Sequence, residues 1–388
     1  MKISNFIPQN RLLKLLQRMI SIPSINPDLS ADGTGESELA DFLGNYLESH
    51  GFEVEIQDLQ EGRKNTVAMW KGSGGGQSLM LNGHIDTVGI QGMTIDPFDP
   101  VFKEGKIYGR GSMDMKSGVA AQIMAAIALK EAGFQPTGDL ILACVADEEY
   151  ESIGTQALLQ SYRADAGIVT EPTDLEMVLA HKGFVWSEIL VEGVAAHGSR
   201  PEVGIDAILQ AGKILNGLSE LEETILPAIQ HPLLGRGSVH ASLIEGGSEM
   251  SIYPDSCKIS IERRTLPGES LESIQQELDQ IITQIKKGSP QFTANARAYL
   301  ERHPLEVSPE EAIVKAFLPA YKRTLGKSAS PTGIGFWTDA ALMAHAGTPT
   351  LIFGPRGKGL HGAVEYVEWE SVVQTTEILA QVIQTYTV

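Results

Sequence analysis

Five side chains spread along this chain have the chemistry of metal ligands: His84, Asp114, Glu149, Glu171 and His361. The first lies in LMLNGHIDTVGI, residues 79–90, where the apolar run Leu79–Met80–Leu81 reads as a buried strand. Polar groups at the carboxyl ends of such strands are where open α/β sheets bind ligands. His84 and Asp86, two apart on extended backbone, point to the same side. One imidazole nitrogen can then bind a cation while Asp86 holds the other ring N–H and fixes the tautomer. Taken alone, the pair reads first as a histidine hydrogen-bonded at a strand end, and it decides nothing.

Four further stretches repeat the arrangement. GKIYGRGSMDMKSG places Asp114 directly before a helix predicted to start near Lys116. An N-cap is the plain reading there, although a carboxylate in that place can also bridge two cations with its two oxygens. The strand DLILACVA ends in DEEYES, which sets Asp147, Glu148 and Glu149 at a strand terminus, unless this is only a solvated acidic loop. GIVTEPT puts Glu171 immediately after a strand, where Pro172 restricts its backbone. FGPRGKGLHGAVEY carries His361 in a glycine-rich loop after another strand. In one α/β sheet such strand ends converge on one rim. Two histidines and three carboxylates without a cysteine suit borderline metals such as zinc, cobalt or manganese. The number of donors suits two ions, about 3.5–4 Å apart, better than one.

The elements that must position these groups fall into two grammars. Leu39, Phe42, Leu43, Tyr46 and Leu47 form one face of a helix ended near Gly51. Strand-like TVAMW and SLMLNG follow, then a helix from about Lys116 to Lys130, the strand DLILACVA, a helix over 153–162 and the strand AGIVT. That order is α/β with a mainly parallel sheet sandwiched by helices. From about residue 182 the pattern changes to β-α-β-β-α-β, the order of a ferredoxin-like unit. FVWSEILVEG, SVHASLIEGG, SCKISIERR and FTANARAYLER read as its strands, with helices at GIDAILQAGKIL and SLESIQQELDQIITQIKKG. The α/β grammar then resumes with a helix over 309–325, the strand TPTLIFG and a closing helix from about 369. We therefore expect a discontinuous catalytic domain, 1–181 and 298–388, with a small domain inserted at 182–297.

Composition narrows the functions open to such a chain. Its 388 residues suffice for two domains with sizeable cores. A formal charge of −19 argues against nucleic acid or an anionic membrane surface as partner. The stretch MKISNFIPQNRLLKLLQRMI has no signal-peptide pattern, and no apolar run is long enough to span a membrane, so a cytoplasmic location is expected. Cys144 and Cys257, each within an apolar run, offer neither a disulfide framework nor a cysteine zinc site.

In order and spacing, GHIDTV, GRGSMDMKSG, ADEE, TEPT and the late LHG resemble the di-zinc family of acetylornithine deacetylase, succinyl-diaminopimelate desuccinylase, aminoacylase and glutamate carboxypeptidase. The resemblance spans nearly the whole chain. It implies that His84 and Glu171 hold one metal and Glu149 and His361 the other, with Asp114 bridging, Glu148 the general base and Asp86 the partner of His84. It implies further that the insertion is a lid and homodimer interface. In VAAHGSRPEVGIDA, His197 would reach the partner's active site and stabilise oxyanion charge. In IERRTLPG, Arg264 would grip a substrate carboxylate, although Glu262 stands where Asp is usual. Ser251, in GGSEMSIYPD, occupies a position that is typically Asn. Family members with Glu at the position of Glu171 tend to be deacylases of N-acyl amino acids, and those with Asp peptidases.

The function these readings give is hydrolysis of an amide in a small N-acyl-L-amino acid. A metallo-exopeptidase acting on short peptides is the alternative. A non-catalytic metal-dependent binding protein is a second alternative, weakened because Glu148, which such a protein could lose freely, is present.

Overall fold

A computed structural model of the protein describes residues 7–388. Residues 1–6, part of the amino-terminal stretch read above for a signal segment, lie outside the described residues. The chain divides into two compact units. The larger runs through Leu179 and resumes over Val307–Thr332 and Thr338–Val388; the smaller comprises Ala180–Glu306 and Gly333–Trp337. The boundary expected at 298 falls inside a strand that runs to Arg302, because a register shift between Ala298 and Leu300 lets that strand keep pairing beyond it.

The larger unit opens with helices α1 (Gln9–Ser21) and α2 (Ser37–Ser49), then strands β1 (Glu53–Gln60), β2 (Arg63–Trp70) and β3 (Leu79–His84). Short strands β4 (Val101–Lys103) and β5 (Lys106–Tyr108) precede α3 (Lys116–Glu131), β6 (Leu140–Val145), α4 (Ile153–Ser161), β7 (Ala166–Val169) and β8 (Met177–His181). In the main sheet β6 and β7 flank β3, and both run parallel to it, so the three chains turn back at neighbouring points on one edge. β3 and β6 are buried along their whole length, which explains their unbroken apolar runs.

Helices cover both faces of that sheet, and adjacent residues of β3 show it. Asn82 donates to Thr155 of α4, while a Cβ on the next residue, Gly83, would stand 2.8 Å from Met115 and Val119 at the start of α3. Successive strand residues point to opposite faces, so α3 and α4 lie on opposite sides. Gly118 allows α3 to come closer still, since a Cβ there would meet the Thr170 carbonyl oxygen at 2.0 Å. The start of α3 is thereby drawn to the end of β7.

In the smaller unit, β9 (Gly183–Glu192), α5 (Ala207–Glu220), β10 (Ser238–Gly246), β11 (Ser256–Thr265), α6 (Leu271–Gly288) and β12 (Thr293–Arg302) form the expected β-α-β-β-α-β series. Its antiparallel sheet has the order β10-β11-β9-β12. Ile189, Val191, Ile259 and Ile261 of the sheet pack with Ala211 and Ile214 of α5 and Leu278 of α6 in one core. The chain closes with β13 (Leu305–Glu306), α7 (Ala312–Leu325), β14 (Pro331–Ile334), α8 (Ala340–His345), β15 (Thr350–Ile352), β16 (Gly357–Lys358), β17 (Tyr366–Glu368) and α9 (Trp369–Tyr386). β15 extends the main sheet parallel to β7, and β16, β17, β5 and β4 form a separate small sheet. No helix among the described residues is long and apolar enough to cross a membrane.

Candidate metal centre

All five candidate ligands belong to the larger unit, and the fold brings them together in two overlapping triads. His84, Asp114 and Glu171 each offer one donor atom within 4.8 Å of the others, as do Asp114, Glu149 and His361. His84 is the last residue of β3, while Glu149 and Glu171 lie in the turns after β6 and β7. Asp114 precedes α3, and His361 lies between β16 and β17. Asp114 is shared, and its two oxygens divide the work: Oδ1 lies 3.2 Å from His84 Nε2 and Oδ2 3.5 Å from His361 Nε2. The N-cap reading of Asp114 does not hold, since the cap position is Met115 and no side chain caps α3.

His84 Nδ1 lies 3.0 Å from the backbone carbonyl of Asp86 and 3.4 Å from its carboxylate, which leaves Nε2 facing Asp114 and Glu171. Burial works against a charged imidazole, yet Glu171, Asp114 and Asp86 together hold the His84 pKa well above its ordinary value. His361, hydrogen-bonded to Asp114 and to Glu149 (3.1 Å), is raised to about 10. Burial, reinforced by neighbouring carboxylates, raises Glu149 and Glu171. The Glu148 carboxyl is pushed well above the usual range by burial and then by Glu171.

This donor set fits divalent cations. Four carboxylates, Asp114, Glu148, Glu149 and Glu171, crowd one half-buried rim, and Glu149 Oε1 is buried without a hydrogen-bond partner. Buried carboxylates this close are costly unless paired or bound to a metal. Nitrogen and oxygen donors without thiolate match borderline and hard cations.

The rim is held from behind by Asp86 and Asp147 of the motifs and by Asn26 and Arg63, to which no motif pointed. Asp86 accepts the backbone N–H groups of both Glu148 (3.1 Å) and Glu149 (3.2 Å), so it positions those carboxylates as well as His84. Asn26 donates to Asp86 and to Asp147, each at 2.9 Å. Asp147, at φ +70°, accepts from the backbone N–H groups of Glu151 and Ile153, which closes the turn bearing Glu148 and Glu149. Arg63, wholly buried, donates to Asp147 (2.7 Å), Asp28 (2.7 Å) and both oxygens of Glu36 (2.6 and 2.8 Å). A charged residue opening a strand is an ordinary sequence feature, so Arg63 carried no signal; Asn26 and Asp147 carried only that of turn residues.

His197, Ser251 and Arg264 belong to the smaller unit. His197 and Ser251 are exposed and sit in adjoining loops, where the Ser251 carbonyl accepts the N–H of Gly198 at 2.7 Å. The Nδ1 of His197 lies 2.8 Å from Ser199 Oγ, which leaves its other nitrogen unengaged by that contact. Arg264, on β11, is half-exposed; its Nε donates to Glu262 at 2.6 Å, and its guanidinium lies 5.1 Å from the Phe184 ring centre. Glu262 in turn accepts from Trp186 Nε1 at 3.0 Å. The neighbouring Arg263 is buried and bound to Glu269 and Glu277, so of the two only Arg264 is open to solvent.

Residues 80–385 match the Peptidase family M20/M25/M40. The chain belongs to that family. Membership makes it a hydrolase of amide bonds. Among relatives of this M20 chain, the acetylornithine deacetylase of Proteus mirabilis (strain HI4320) is 30% identical over 385 residues, covering 96% of each chain. That of Myxococcus xanthus is 30% identical over 358 residues, 89% of this chain and 91% of the relative. The N-formyl-4-amino-5-aminomethyl-2-methylpyrimidine deformylase of Halalkalibacterium halodurans is 28% identical over 402 residues, 96% of this chain and 93% of its own. Two solved structures share the fold. Aminopeptidase PepT from Bacillus cereus ATCC 10987 has a TM-score of 0.82 at 22% identity, covering 98% of this chain and 99% of that one. The Bacillus subtilis YXEP protein, described as a dinuclear metal binding peptidase of the M20 family, has a TM-score of 0.75 at 17% identity, covering 98% of each.

Proposed function

We propose that this M20 hydrolase is a di-metal amidohydrolase that removes the acyl group from N-acyl-L-amino acids. The observation that carries the reading is the pair of donor triads joined by Asp114, with Glu148 beside them. His84, Asp114 and Glu171 would hold one ion and Asp114, Glu149 and His361 the other, zinc by preference, with cobalt or manganese able to substitute. Bound there, the ions supply Lewis-acid polarisation of the scissile carbonyl and make water easier to ionise. Glu148 accepts the proton of the attacking water and later passes it to the departing amine as the C–N bond breaks. His197, with a ring nitrogen unengaged by Ser199, serves as donor to the developing oxyanion.

The substrate end of the reading rests on Arg264 and Glu171. With Nε committed to Glu262, the remaining guanidinium N–H groups of Arg264 offer a fork for a free α-carboxylate. The full-length deacetylase relatives favour the deacylase branch. The small unit acts as lid and as homodimer interface, since its edge strand β10 exposes Leu243 and Ile244, and an unpaired apolar edge is a template for another strand. A cytoplasmic setting accords with two buried free thiols, Cys144 and Cys257. The test is turnover by metal-loaded protein of a panel of N-acetyl-L-amino acids, their α-amides and dipeptides. Acetyl substrates should turn over, and amidation should slow them. A preference for dipeptides above about tenfold in kcat/KM, roughly 1.4 kcal/mol of discrimination, would move the protein to the exopeptidase branch.

A further inference from the structure

Glu365 has no place in the chemistry above, yet its carboxylate is wholly buried and fully engaged. Strand β5 pairs with β17 through Tyr108 and Tyr366, which sets Gly109 beside Glu365 just past the ladder. From there Oε1 accepts the N–H groups of Met113 (2.8 Å) and Asp114 (3.1 Å), and Oε2 accepts that of Gly111 (3.0 Å) and Nη1 of Arg110 (2.7 Å). Arg110 is itself buried and donates onward to the carbonyls of Gly89 (3.2 and 3.0 Å) and Gly362 (3.4 Å). This pair therefore knits together the loop after His84, the loop bearing Asp114 and the loop bearing His361.

We propose that Glu365, with Arg110, is a positioning residue that holds the Asp114 and His361 loops at the spacing the second cation pocket needs. The inference rests on the di-metal reading above. The asymmetry follows from where the donors sit. In the first pocket His84 and Glu171 are fixed by β3 and β7, and only Asp114 depends on the Glu365 cradle. In the second, Asp114 and His361 both depend on it, and His361 stands in a left-handed loop conformation (φ +56°) outside any strand. Loosening the cradle should separate two ions that otherwise bind to one preformed site.

The experiment titrates metal-free protein with Co²⁺, following heat of binding and visible absorption. Wild type should take up two ions. Glu365→Gln keeps the shape but sets an NH₂ against N–H donors, so the second ion should bind about 10–100-fold more weakly while the first stays within about threefold of wild type. If that variant does not fold, as judged by circular dichroism, Arg110→Lys serves instead. Lysine can pair with Glu365 but lacks the fork that also reaches Gly89 and Gly362, and the same selective loss is expected. Unchanged affinity for both ions, or equal weakening of both, would overturn the positioning role. Wild type that binds fewer than two ions would instead overturn the di-metal reading on which it rests.

Discussion

The rim of candidate metal ligands and the loops of the smaller unit carry their candidate residues in opposite ways. On the rim, Asp86, Asp147, Asn26, Arg63 and Glu365 hold the candidate ligands through buried hydrogen bonds, most of them joining segments far apart in sequence. In the smaller unit, His197 and Ser251 are exposed, and Arg264 is half-exposed with its side-chain partners on its own sheet. Fixed geometry is needed where the reaction is the same for every substrate. Adaptable geometry suffices where substrates are told apart. Under the roles proposed above, the rim divides from Arg264 and Ser251 as chemistry from selection, with His197 the one group of the smaller unit on the chemical side.

Several measurements can break or sharpen that division. The largest effect should come from metal removal: exhaustive chelation should abolish activity and added zinc or cobalt restore it, and activity that survives chelation would discard the mechanism. Glu148→Gln should lower kcat by about 10²–10⁴-fold with both metals retained, measured by elemental analysis beside turnover. Its neighbour Glu149→Gln should lose metal first, and the reverse pattern would exchange their roles. His197→Ala should lower kcat by about 10²–10³-fold at unchanged metal content. Mixing it with Glu148→Gln protomers should restore some activity if His197 acts across a dimer. Loss of metal in the His197 variant would break the comparison.

The smaller effects concern stability and selection. Arg63→Met strands Glu36 and Asp147 in the interior and should cost roughly 3–5 kcal/mol, read from the shift in urea midpoint of metal-free protein. Arg264→Met, at a half-exposed pair, should cost less than about 1 kcal/mol of stability but raise KM for N-acetyl-L-amino acids by about tenfold or more, while barely affecting their α-amides. Ser251→Asn should be mildest, altering acyl preference by no more than about threefold in kcat/KM, roughly 0.7 kcal/mol.

What the sequence made legible was local. Leu79–Leu81 running into His84, and DLILACVA running into the acidic triplet, are apolar runs whose ends carry polar groups, and the structure places those ends side by side because β6 and β7 both run parallel to β3. The helix expected from Lys116 begins at that residue, and the small unit has the predicted order of elements. What the sequence hid was the scaffold. Arg63 meets Glu36 and Asp147, and Arg110 meets Glu365, across long separations that no spacing rule reaches. Glu365 reads as one more acidic loop residue until β17 pairs with β5 and turns it inward. Asp86 was expected to orient His84; its grip on the backbone of Glu148 and Glu149 needs the three-dimensional turn to become visible. FTANARAYLER was legible as a strand and runs to Arg302, so the domain boundary set at 298 cuts through it; that the strand stays paired past the register shift at Ala298 is decided by pairing and not by composition.

The order of the donors along the chain has a consequence for biosynthesis. His84, Asp114 and Glu171 all precede the inserted unit, whereas His361 comes from the final segment, just ahead of α9, the helix that packs against α3 and completes the core. A nascent chain therefore carries every donor of one pocket long before the other can exist. Translation that stops within the insertion leaves a polypeptide with a single complete triad and an α3 packed against α1 and the sheet but not against α9, and the apolar surface so exposed invites aggregation or proteolysis. On the di-metal reading, the second pocket gains its last donor, His361, only as the segment leading into α9 is made.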